Sequence, residues 1–120
     1  MAYTKFGEFM RVLRIKNHEV MGDTAKLLNC MVSFVSSVES GKKNVPEAWI
    51  PILIEHYNLT DNQQNELLEA IEDSKTQVKL NLSEASIPRR RLAVQFQRSF
   101  EKLDDETANA ILNILNKEDS

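Results

Sequence analysis

Between Val20 and Gly41 the chain reads Val-Met-Gly-Asp-Thr-Ala-Lys-Leu-Leu-Asn-Cys-Met-Val-Ser-Phe-Val-Ser-Ser-Val-Glu-Ser-Gly, a stretch that permits few folds. Its spacing predicts two short amphipathic helices, from about Gly22 to Leu28 and from about Val32 to Ser40, joined by a tight turn. Ala25 is small where the two helices must approach closely. Asn29 tolerates the left-handed backbone that the turn demands, and Gly41 does the same at the end of the second helix. Val35 and Val38 then point back to a core, which leaves the opposite face of that helix outward.

The flanking segments supply the rest of that core. Phe6, Phe9, Met10 and Leu13 recur at helical spacing on a first helix from about Lys5 to Asn17. Pro46 suits the first position of a fourth helix whose core face is Trp49, Ile50, Leu53 and Tyr57, with a kink expected at Pro51. Thr60 and Gln63 form a capping box that opens a fifth helix running to about Ser74, with Leu67, Leu68 and Ile71 inward. Next, Gln77-Val78-Lys79-Leu80-Asn81-Leu82 alternates polar and apolar, the pattern of a strand. Ser86 caps a sixth helix striped by Leu92, Phe96, Phe100 and Leu103, and a seventh starts at Asp104 or Asp105 with Ala108, Ile111, Leu112 and Leu115 as its face. The expected fold is all-α: a five-helix domain over residues 1–75, then a region over 76–120 made of one short strand and a helical hairpin.

At 120 residues the chain has room for one modest core and an appendage, not for two large domains. No apolar run approaches the length of a bilayer span, and the Met-Ala-Tyr-Thr-Lys-Phe-Gly-Glu start lacks an apolar signal region, so a cytoplasmic protein is expected. Cys30 is the only cysteine and reads as a packed thiol. His18 and His56 stand apart from any carboxylate or cysteine cluster, so no metal site and no cofactor is indicated. No nucleophile elbow, glycine-rich phosphate loop or carboxylate pair is present, and an enzyme is not expected.

Net charge is −3, but it is banded. Residues 1–46 carry seven Lys/Arg against four acids, residues 47–76 one against seven, residues 77–103 six against two, and residues 104–120 one against five. A basic first band is the footprint that a phosphate backbone requires, and the acidic second band would face away from it or meet another basic surface.

Thr24-Ala25-Lys26-Leu27-Leu28-Asn29 and Ser36-Ser37-Val38-Glu39-Ser40-Gly41-Lys42 resemble the two halves of the lambda-repressor-like (Xre/Cro type) helix-turn-helix pattern. The resemblance covers about residues 5–73. It implies a DNA-binding regulator whose third helix enters the major groove. On that pattern Val32, Ser33 and Ser37 read bases, by methyl contact and hydroxyl hydrogen bonds. Gly22, Ser36, Ser40, Lys42, Lys43 and Asn44 contact phosphates. Arg14 and Glu39 match positions that form an ion pair bracing the first helix against the third. The chain departs from the pattern at Met31, where a capping Ser or Thr is usual, and at Met21, where a phosphate-binding Gln is common.

A lone strand cannot satisfy its own backbone, which points to pairing with the same strand of a second copy, the alternative being an extended linker lying over a hydrophobic groove. Val78, Leu80, Leu82, Phe96 and Phe100 are the dimerisation residues of that arrangement. Arg89, Arg90 and Arg91 crowd the positive end of the sixth helix and call for an anionic partner: the acidic band of the dimer, DNA phosphates or another protein, the first being favoured. The leading expectation is a homodimeric, sequence-specific repressor on double-stranded DNA. Two others stand beside it: an antitoxin-like module whose C-terminal half engages a protein partner, and an adaptor that keeps the fold without binding DNA.

Overall fold

The computed structural model describes residues 3–118, and its regular structure is entirely helical. The chain divides into two units, the first ending at Val78 and the second starting at Lys79.

The first unit contains α1 (Lys5–Lys16), α2 (Met21–Leu27), α3 (Val32–Glu39), α4 (Trp49–His56) and α5 (Asp61–Asp73). Thr4 caps α1 by accepting from the Gly7 N–H, and Thr60 with Gln63 forms the reciprocal capping box of α5. Three helices are closed by non-glycine residues in the left-handed region: His18 after α1, Asn29 after α2 and Asn58 after α4, with φ of 57°, 54° and 49°. Asn and His adopt this conformation more readily than other side chains, so each turn is encoded by one residue.

The core is built by Phe6, Met10 and Leu13 of α1, Ala25 of α2, Val35 and Val38 of α3, Trp49 and Leu53 of α4, and Leu67 and Ile71 of α5. Trp49 packs against Phe6 and, edge-on, against Phe34, with ring centroids 6.3 and 5.7 Å apart. Burial of this order, roughly 1.5–3 kcal/mol for each large side chain, holds together helices too short to persist alone.

Three sequence expectations are corrected here. The fourth helix begins at Trp49, so Pro51 lies in its first turn, where no N–H is needed, and the kink does not form. Leu68 points outward, 47% exposed, while Ala70 takes the inward position beside Leu67 and Ile71. The strand over 77–82 is absent: residues 77–82 carry no regular structure, and among the described residues there is no strand at all. Alternation fits side chains to a pleat, but a ladder also needs a neighbouring backbone, and none among the described residues pairs with this segment. The strand-pairing role of Val78, Leu80 and Leu82 falls with it.

The second unit contains α6 (Ile87–Ser99), a 3-10 turn at Phe100–Lys102 and α7 (Asp105–Glu118). Ser86 and Asp104 accept from the N–H groups of Arg89 and Thr107 at the starts of the two helices. The Phe96 and Phe100 rings meet at a tilt with centroids 5.5 Å apart, yet both stay exposed with Leu92, Leu112 and Leu115. α6 has no buried residue. No helix among the described residues is long and apolar enough to cross a membrane.

Candidate nucleic-acid interface

The outward face of α3 presents Val32 and Ser33, both exposed, and the half-buried Ser36 and Ser37, while Val35 and Val38 anchor its other side in the core. Its first turn begins at Met31, which is 74% exposed and gives no side-chain hydrogen bond to the helix. The N–H groups of Gly41 and Lys42 close the far end by bonding to the carbonyls of Val38 and Ser37, at 3.1 and 2.9 Å. Gly41 makes this possible at φ 86°. An added Cβ there would also lie 2.8 Å from the Thr4 methyl. The chain then leaves through Lys42 and Lys43, whose side chains are exposed next to the helix end.

Glu39 is the only carboxylate on α3, and it is fully buried. Its two oxygens accept from both terminal nitrogens of Arg14, each at 2.7 Å, and Arg14 also donates to the Thr24 hydroxyl at 3.3 Å. The hydrogen bond to Glu39 holds the guanidinium above its usual range, against the opposing effect of burial. This fork joins α1, α2 and α3. The negative charge is thereby withdrawn from the α3 surface, which is left carrying hydroxyls, methyls and neighbouring lysines.

The seam between α1 and α3 is tighter than helical periodicity alone would suggest. Thr4 donates through both its N–H and its hydroxyl to the Glu39 carbonyl, at 3.0 and 2.9 Å. Gly7 sits where any Cβ would collide with that same carbonyl. Neither contact is legible in the sequence, because the backbone that each residue meets lies 32 or more residues away. A second site of this kind joins Glu19, ahead of α2, to the end of α4: its carboxylate accepts from Tyr57 Oη at 2.6 Å and meets His56 Nε2 at 3.0 Å. Burial pushes the Tyr57 phenol up, and the hydrogen bond to Glu19 adds to this.

One residue expected at a phosphate, Asn44, is otherwise engaged. The Asn44 side chain accepts from the Thr76 N–H and hydroxyl and donates to the Gln77 carbonyl, at 2.8, 3.0 and 3.0 Å, so it fastens the loop after α3 to the segment leaving α5. Gly22 lies in the first turn of α2, where the Asp23 carboxylate already accepts from the Val20 N–H at 2.8 Å and places a negative charge. Ser40 donates to the Ser37 carbonyl at 3.3 Å, and Ser36 stays half-buried on the helix face. The dimerisation candidates Phe96 and Phe100 lie in the second unit with their rings exposed. Cys30 is half-buried at the α2–α3 turn, where burial pushes its thiol up.

Comparison of the chain with protein-family models, curated proteins and solved structures gave no match.

Proposed function

We propose that this chain is a DNA-binding regulator of the lambda-repressor-like, helix-turn-helix kind, in which α3 enters the major groove. One observation carries the reading: the single carboxylate of α3 is buried against Arg14, so its outward face bears no negative charge and ends at two exposed lysines. Val32 and Ser33 at its start, with Ser37 one turn later, are the base-reading side chains. Serine and valine lack the bidentate reach of Arg, Asn or Gln, so discrimination per base is modest and phosphate binding supplies most of the affinity. Lys42 and Lys43 are its main source, with Ser36 and Ser40 at the flank.

A repressor of this size works as a pair, with two recognition helices about 34 Å apart on one face of the duplex. The second unit supplies a surface for self-association in the exposed apolar side chains Phe96 and Phe100. Selection of bound fragments from random duplex DNA tests the reading and is expected to enrich a pseudo-palindrome. Replacing Lys42 and Lys43 together by Glu should weaken binding to all sequences. It should also reduce the slope of log K against log salt by about 2, since each phosphate that a lysine neutralises contributes roughly 0.9. No retention of the wild-type chain on DNA even at low salt refutes the reading and favours the adaptor alternative.

A further inference from the structure

Two surfaces that the DNA reading leaves unused match each other in charge and pitch. The first is a groove of about 400 Å3 between α1 and α5. Phe9, Val12, Leu13 and Ala70 give it an apolar floor, and Glu66, Glu69 and Asp73 run along its α5 wall. Its α1 wall carries Glu8 between Lys5 and Lys16, and Lys5 approaches Glu8 to 3.9 Å. Val12 is half exposed. Carboxylates on this wall repel phosphate, so the groove is no extension of the DNA face.

The second surface is the arginine face of α6. This helix carries four arginines and no acid. Arg90, Arg91 and Arg98 share a face with Val94 at its centre, while Leu92 and Phe96 lie on the opposite side by helical periodicity. Three successive arginines, Arg89 to Arg91, crowd the positive end of the helix, where cations are disfavoured unless an anionic surface receives them. Glu66 to Asp73 and Arg91 to Arg98 each span seven residues, about 10.5 Å of helix. A helix laid along the groove therefore meets carboxylates at both ends of its arginine row and apolar side chains in the middle.

We propose that the α1–α5 groove seats the arginine face of α6 from a second copy of this chain. In a two-fold dimer each copy gives one helix and receives one, so the same interface forms twice. The apolar side of α6 stays available for the partner's hairpin, and the two contributions differ in salt response: the groove interaction is screened, the apolar one is not.

The test is a charge swap in the full-length chain. One variant carries Glu66→Arg, Glu69→Arg and Asp73→Arg, the other Arg90→Glu, Arg91→Glu and Arg98→Glu. All six side chains are exposed, and circular dichroism checks that both variants keep their helices. Sedimentation equilibrium at about 50 and 500 mM salt should show each variant alone losing at least about tenfold in self-association at the lower salt. An equimolar mixture should recover it, because opposite charges again face each other across the groove. Reversals that leave self-association unchanged, or folded variants that do not associate when mixed, overturn the groove interface and leave the apolar hairpin in its place. A wild-type chain that stays monomeric overturns both. Retention of the two variants on DNA, measured separately, reports on the regulator reading alone.

Discussion

Arg14 and Glu39 are charges taken out of water and returned to each other as a two-pronged hydrogen bond, which offsets most of the desolvation only while both are present. Arg14→Ala would strand a fully buried carboxylate and is expected to destabilise the first unit by about 3–5 kcal/mol in urea denaturation. A variant within about 0.5 kcal/mol of wild type would show that the pair contributes little. Glu19 gives a pH dependence of defined sign. Burial acts to raise its pKa, but hydrogen bonds from Tyr57 and His56 outweigh this and hold the carboxyl below its ordinary value. A folded-state value under the unfolded one, itself about 4.3, contributes stability that is complete above that pH and disappears as pH falls through the folded value. Between about pH 5 and 3 the wild type should therefore lose stability more steeply than Glu19→Gln, as read from midpoints of chemical unfolding across that range. Equal slopes would assign the acid response to other carboxylates.

The first turn of α3 lacks a side-chain cap, as do those of α2 and α4. Met31→Ser supplies a hydroxyl at the capping position and should stabilise the first unit by about 1 kcal/mol; no gain in thermal midpoint would mean that the backbone there cannot present the hydroxyl to the helix. What can be read from sequence about the elements divides by range. Helix positions, the capping box at Thr60, the Ser86 cap and the left-handed turn at Asn29 are local properties of a few neighbouring residues, and they are legible. Pro51 misleads because the helix starts at Trp49, three residues after Pro46, which is enough to move a proline from a damaging position to a harmless one. The segment at 77–82 misleads because alternation describes side chains, whereas a strand depends on a partner backbone. At the candidate site, the outward face of α3 follows from periodicity, and Lys42 and Lys43 from their place just after the helix. That Asn44 turns to Thr76 and Gln77, or that Asp23 closes the start of α2, depends on tertiary neighbours or on which of two roles a polar side chain adopts. The alphabet of polar residues is the same in both cases.

At the scale of the molecule, the first unit has a packed interior, whereas none of the core side chains among the described residues comes from the second. Replacing Phe96 and Phe100 together by Ser should therefore lower self-association at high and low salt alike, while leaving the first unit's thermal midpoint within about 1 °C of wild type, since rings that are exposed in the single chain add little to its stability. A fall in that midpoint by several degrees would show that the two phenylalanines support the first unit directly. The chain's one tryptophan offers a clean way to follow this division. Trp49 is enclosed by Phe6 and Phe34 in the first unit, and the second unit has no indole of its own. Its emission thus tracks the melting of one unit, whereas far-ultraviolet dichroism sums the helices of both. The offset between the two curves gives the second unit's own transition without attaching a label.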